Sequence, residues 1–283
     1  MQSLQVLIDN LEKERKLHIS VLDFRGILTT PLTAVRFDHV IHSKKFCNIT
    51  KSTPRGYRAC LRCKALANYK AANEKTMFCG HCIYGIYEAA IPVVVEHSVM
   101  AIIYVGNAII DKEHTQRRIK KVCGYTGVAQ EELFSLMADC ELIDSSKELC
   151  EIGEIVADYL KMLFENTPII GHEKNWIVSL MKHYAKEHTC GAISLQEFAV
   201  SHQKNAQYIG RLFKNEVGIS FSQYCNEVRL KRAEILLSRG NQKIIDVAFA
   251  CGFQNVSYFN RLFYKKHGMS PSEYKKNNVA WLR

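Results

Sequence analysis

The chain has 283 residues, 47% hydrophobic and 23% charged, which excludes a disordered or collagen-like polymer and leaves room for two ordinary domains. Its formal net charge of +10 is unevenly placed: residues 176–283 hold 16 Lys/Arg against 7 Asp/Glu, whereas the first 175 residues are nearly balanced. Such an excess suits a polyanion, a solvated helical surface being the plain alternative.

The opening MQSLQVLIDNLEKERK mixes acids, bases and apolar residues, so it is not a signal peptide, and its spacing predicts a helix from about Leu4 to Lys16. KLHISVLDFRGILTT then reads as two short strands around an Arg25-Gly26 turn. AAIPVVVEHSVMAIIYVGNAII reads as two more strands turning at Glu96-His97-Ser98. The longest uncharged apolar run, SVMAIIYVGNAII, is about 13 residues, too short to span a bilayer. A soluble, cytoplasmic protein with no membrane partner is expected. In SSKELCEIGEIVADYLKMLFEN, Leu149, Ile152, Ile155, Val156, Leu160 and Leu163 share one helical face, which suits a dimerising signal helix and packing onto its own domain equally well. ENTPIIGHEKN, with Pro168 and Gly171, reads as a hinge. The expected domains are therefore 1–165, an α+β PAS-like sensor of helix, curved antiparallel sheet and intervening helices; 166–175, a linker; and 176–283.

Eleven cysteines, an odd number at scattered positions, do not make a disulfide scaffold. Cys123, Cys140, Cys150, Cys190, Cys225 and Cys251 sit in helix-like apolar contexts as core residues. The other five crowd between positions 47 and 82. Cys60-x2-Cys63 and Cys79-x2-Cys82, 15 residues apart, have the spacing of a tetrahedral zinc site of four thiolates, with Cys47 and His81 in reserve. The same residues read equally as small pocket-lining side chains, or as redox thiols. The spacing leaves all three open.

The last third contains a repeat. YIGRLFKNEVGIS, residues 208–220, returns as YFNRLFYKKHGMS, residues 258–270. Upstream, Ser194 and Glu197 form a capping box that opens a short helix with Leu195, Phe198 and Ala199 on one side. A second helix begins near Asn205, buries Ile209, Leu212, Phe213 and Val217, and presents Gln207, Gly210, Arg211 and Lys214 outward. In the second copy a helix over Lys243–Ala250 precedes one starting near Asn255, which buries Phe259, Leu262 and Phe263 and exposes Ser257, Asn260, Arg261 and Tyr264. FSQYCNEVRLKRAEILLSRG joins the copies as one helix, Phe221–Ser238. Short helix, turn and longer helix with a polar face is the helix-turn-helix pattern, and two copies in a basic segment point to an all-α domain that reads double-stranded DNA. Lys214 would contact phosphate.

Residues 176–276 closely resemble the DNA-binding domain of AraC/XylS-type transcription regulators, on ISLQEFA, YIGRLFK, VGISFSQY, RLKRAEILL, IIDVA, CGFQNVSYFNRLF and GMSPSEY. The resemblance implies a promoter-DNA reader that recruits RNA polymerase, with Gln207, Gly210 and Arg211 in the first unit and Val256, Ser257, Asn260 and Arg261 in the second as base-reading positions. Gly210 departs from the side-chain-bearing residue often found there, so the first helix is expected to read fewer bases. The arrangement FCNI…GYRACLRC…FCGHCIYGIYEAAIPVVV…YVGNAII also resembles the PocR sensory domain. That implies a PAS-related pocket for small hydrocarbon derivatives such as diols, with Cys47, Cys60, Cys82, Gly85, Glu88 and Pro92 as ligand-binding positions. Ile83 stands where that family usually has His.

An effector-responsive, non-enzymatic transcription regulator, acting as a monomer or homodimer, is the leading expectation. A thiol- or metal-sensing regulator with zinc at the cysteine cluster is the alternative. A DNA-repair methyl acceptor is the more remote one, because such enzymes also join a four-cysteine zinc domain to an AraC-type domain; their cysteine spacing is not reproduced here. No Gly-rich phosphate loop, paired-carboxylate or Ser/His/Asp signature stands out in the sequence.

Overall fold

Ser3 caps the first helix, its hydroxyl accepting the Val6 N–H at 3.4 Å. In the computed structural model the residues described are 2–28, 30–40, 42, 44–166, 176–187, 194–202, 204–238 and 242–279. Cys190 and the hinge from Thr167 to Asn175 lie outside them. The chain divides into two units, Met1–Trp176 with Val200–Gln203, and Ile177–Ala199 with Lys204–Arg283.

In the first unit, α1 spans Leu4–Glu12 and stops short of the expected Lys16. Glu14 adopts a left-handed φ of 62°, and the Glu12 carboxylate accepts the Ile19 N–H at 2.6 Å, which turns the chain back into β1, His18–Asp23. Among the described residues beyond Arg25-Gly26, the second expected strand does not form. The Asp23 carboxylate instead accepts the N–H groups of Arg25, Gly26 and Leu28 at 2.7–3.0 Å, and these closed turns replace a ladder. Helices α2, Lys45–Thr50, and α3, Pro54–Glu74, precede β2, Phe78–His81. The hairpin of β3, Tyr87–Val95, and β4, Ser98–Ile109, turns at Glu96 and His97, both with positive φ, where the sequence places it. Then come α4, Lys112–Thr126; α5, Gln130–Leu136; β5, Glu141–Leu142; and α6, Lys147–Asn166.

The sheet order is β1-β4-β3-β2, antiparallel, with β5 parallel to the end of β4. Strand periodicity gives it two buried faces. Ile19, Val21, Ala89, Ile91, Val93, Ile103 and Val105 pack with Leu149, Ile152, Val156, Leu160 and Leu163 of α6. Ala90, Ile102 and Tyr104 pack with Ala71 of α3 on the other face. Gly153 lets α6 lie close, since a Cβ there would stand 2.2 Å from Ile91 Cδ1. The apolar stripe of α6 is thus covered by its own sheet. Ile155 departs from that stripe and is 49% exposed, because 3.6 residues per turn rotate it about 100° from the stripe's mean direction.

The second unit is helical: α7, Trp176–Glu187; α8, Leu195–Ser201; α9, Ala206–Val217; α10, Phe221–Ser238; α11, Ile244–Ala250; α12, Val256–His267; and α13, Pro271–Val279. Reciprocal capping boxes open α8, α10 and α13: Ser194 with Glu197, Ser220 with Gln223, and Ser270 with Glu273. Two small cores result. Phe198, Phe213 and Phe221 meet in the first, while Val247, Ala248, Phe259 and Phe263 meet in the second. Helix α10 serves both, with Phe221 at one end and Leu230, Ala233 and Leu237 at the other. Among the described residues, no helix is long and apolar enough to cross a membrane.

Candidate nucleic-acid interface and sensory pocket

The two helical pairs of the second unit are built by the same bonds. Lys204 N–H donates to Ala199 O at 2.8 Å, and Phe253 N–H to Ala248 O at 3.0 Å, so both turns leave their first helix identically. Asn205 and Asn255 then cap α9 and α12, each accepting the N–H three residues on at 3.0 Å. The first match is offset by 49 residues and the second by 50, which places the extra residue of the second turn between Phe253 and Asn255, at Gln254. Gly218 and Gly268 end the two helices at φ 82° and 70°.

Gln207, Arg211 and Lys214 stand exposed on α9, and Ser257, Asn260 and Arg261 on α12. The remaining two positions differ. Gly210 is half-buried beneath Leu195, whose Cδ2 would lie 2.7 Å from an added Cβ, so the glycine admits the α8–α9 contact. Val256 is half-buried against the second core. Sequence reasoning missed the contribution of α10. Arg229 lines one concavity with Arg211 and Lys214, and Asn226 and Lys231 line another with Arg261 and Lys265. Asn226 Nδ2 donates to the Tyr258 hydroxyl at 3.0 Å, and the Arg261 guanidinium lies 5.3 Å from the Tyr258 ring centroid. Lys266, by contrast, is held by Glu234 at 2.6 Å.

In the first unit, Cys60, Cys63 and Lys64 share one face of α3 and look into a cavity of ≈ 40 Å³ whose wall also holds Cys47, Cys82 and Glu88. Strand alternation puts Glu88 on the α3 face with Ala90, and the register shift there sets it opposite both Gly106 and Asn107 of β4, a bulge in which Asn107 takes a φ of 63°. A Cβ on Gly106 would come within 2.9 Å of Glu88 Cβ, so the glycine keeps that space open. Glu88 pairs with Lys64 at 2.9 Å, and Lys64 Nζ lies 3.3 Å from the Tyr104 ring centroid. Sequence reasoning missed Lys64, although it stands four residues, about one helical turn, after Cys60. His42 and Asn107, which also line the cavity, carry no such signal. His42 Nδ1 is 3.7 Å from Glu88, while its buried Nε2 has no hydrogen-bond partner among the described residues.

The thiols here are neutral. Burial pushes Cys47 up to about 11 and raises Cys60, Cys63 and, furthest, Cys82. Neutral thiols are poor nucleophiles. Two of the expected ligand positions lie outside the lining. Gly85 makes a turn at φ 91° packed on Thr115, and Pro92 sits in β3 just beyond the pairing with β2, which ends at Ala90.

The four-thiolate set does not assemble. Cys79 lies on the α6 face of β2, its Sγ 3.3 Å from Cys150 Sγ, while Cys60, Cys63 and Cys82 line the cavity. A C-x2-C spacing keeps both sulfurs together on a helix, as at Cys60 and Cys63, but separates them across an extended segment. Among the described residues, the group of ligating atoms within mutual reach is Glu12, His18 and His39. There His39 Nδ1 is 2.7 Å from Ile19 O and Lys44 Nζ is 3.6 Å from Glu12, so protein partners already serve the group.

A sheet-based sensory domain and a double helix-turn-helix unit define the class of protein. The family model described as the sensory domain found in PocR matches residues 1–167, and one described as a helix-turn-helix domain matches residues 201–277. The chain belongs to the PocR sensory-domain family, with a C-terminal helix-turn-helix domain of the AraC type. It is similar to the uncharacterized HTH-type transcriptional regulator YijO of Escherichia coli, 35% identical over 102 residues, which are 36% of either chain. It is also similar to the HTH-type transcriptional activator RhaR of Yersinia pseudotuberculosis, 31% identical over 96 residues, 34% of this chain and 33% of that one. The chain thus spans about a third of the length of these curated relatives. Among solved structures, the C-terminal domain of AraT, a response regulator from Geobacillus stearothermophilus, is 28% identical and covers 36% of this chain and 84% of its own, with a TM-score of 0.35.

Proposed function

We propose that the protein is an effector-responsive, non-enzymatic transcription regulator whose α9 and α12 enter successive major grooves of promoter DNA. The observation that carries this reading is the pair of identically capped helices, Ala206–Val217 and Val256–His267, each with an exposed basic and amide face. Gln207, Arg211, Ser257, Asn260 and Arg261 are the base-reading side chains, and Lys214 meets phosphate. Gly210 and Val256 shape the helices that present them. Helix α10, 18 residues and so ~27 Å long, spaces the two. RNA polymerase is the partner on the promoter, and residues 166–175 link sensor to reader. Selecting bound sequences from random DNA tests this: enrichment of a site with two half-elements about one helical turn apart supports it, and binding without any enrichment defeats it.

On the same reading the first unit is PAS-like and its cavity receives the effector. At ≈ 40 Å³ it has room for about three water-sized groups, the scale of a small alcohol or diol. Its lining favours a neutral ligand, because Glu88 is already paired with Lys64 and the thiols are uncharged. A thermal-shift series of C2–C4 alcohols, diols, aldehydes and carboxylates reads this out. Stabilisation by carboxylates alone would contradict it.

A further inference from the structure

We propose that Cys79 and Cys150 form an oxidisable dithiol site, separate from the cavity, that closes to a disulfide with a peroxide and ties β2 to α6. The two residues are 71 apart in sequence, yet their sulfurs are 3.3 Å apart. A disulfide bond is about 2.05 Å long, so the sulfurs need approach by only about 1.3 Å, within reach of side-chain rotation. Cys79 is on a four-residue strand at the edge of the sheet, and Cys150 is in the first turn of α6. Both thiols are half-buried and so reachable by a small oxidant, unlike Cys123, Cys140 and Cys251, which are buried.

Either sulfur can donate the S–H···S hydrogen bond between them, and closure proceeds in two steps from whichever reacts first. That sulfur, as its thiolate, attacks the O–O bond of the peroxide, takes one oxygen as a sulfenic acid and releases the other as water or an alcohol. The second sulfur then attacks the first. The S–S bond forms as the S–O bond breaks, and the oxygen leaves as water with the second thiol's proton. Two thiols lose two electrons in all, and one peroxide is reduced.

The test uses the full-length protein, treated with low-millimolar hydrogen peroxide, blocked with iodoacetamide and digested with trypsin without reduction. The expected product joins the peptide Thr76–Lys112 to Glu148–Lys161, persists in Cys82→Ser and is absent from Cys150→Ser. Oxidation should also raise the unfolding temperature, reversibly with dithiothreitol, as a tie across 71 residues implies. A link through Cys82, a link between two chains, or Cys79 over-oxidised to sulfinic acid beside a still alkylatable Cys150 would each overturn the proposal. Fragmentation of the wild-type linked peptide, which places the bond on Cys79 or on Cys82, decides this even if a variant fails to fold.

Discussion

Arg211 and Arg261 stand 50 residues apart at the same place in two copies of one helix, exposed and midway along it. If they read bases, replacing either by Ala should leave the helical spectrum intact and cost about 1–3 kcal/mol, roughly 5- to 150-fold, on the selected site but not on random DNA. Lys214→Ala should weaken both equally and reduce the salt slope by about one counterion. Fluorescence anisotropy over a salt series separates these outcomes. His42 gives a different prediction. Burial, then the charges of Lys64, His18 and Lys51, hold its imidazole well below the ordinary range, with Glu88 its acidic neighbour at 3.7 Å. Folded His42 stays neutral while unfolded His42 binds a proton below about pH 6.5, so the sensory unit loses stability as pH falls from there. The limiting slope is about 1.4 kcal/mol per pH unit for one proton, and less to the extent that the folded site admits water. Thermal unfolding from pH 7.5 to 5.5 should show the loss, and His42→Gln should flatten it.

At the scale of elements, α6 lies against β3 as closely as it does because Gly153 has no side chain over Ile91. Ala is the better helix former by about 1 kcal/mol, so on an open helix Gly153→Ala would stabilise. Here the added methyl meets Ile91 Cδ1 at 2.2 Å, and a net loss of about 1–3 kcal/mol is expected by urea denaturation. Gly153→Ala with Ile91→Val should recover part of it. Helices α9 and α12 of the repeat were legible nearly to the residue because each carries its own signals: an Asn cap, an apolar stripe, a terminal glycine. The strand expected over ILTT was not, because the Asp23 side chain gives that backbone its hydrogen bonds and removes the need for a ladder. Likewise the faces of α3 and β2 could not be matched from spacing alone. Cys79 and Cys82 look like Cys60 and Cys63 in sequence and point to different partners in space.

For the whole molecule, both helical pairs and their connector lie C-terminal to Trp176 and close two cores of their own around α10. A fragment beginning near Gly171 should therefore be soluble, helical and able to bind DNA without effector; circular dichroism and anisotropy check it, and an unfolded fragment would place the boundary elsewhere. The sequence by itself determined that there are two units, that the second is a repeated helix-turn-helix and that Ile209, Phe213, Phe259 and Phe263 are buried in it. These follow from local rules of capping, helical period and charge, which act within a dozen residues. Tertiary structure alone decided which cysteines meet, that Glu88 pairs with Lys64, and that α6 spends its apolar stripe on its own sheet. Those outcomes depend on which strand lies beside which and on which face each side chain emerges, and a one-residue change in register would reverse them.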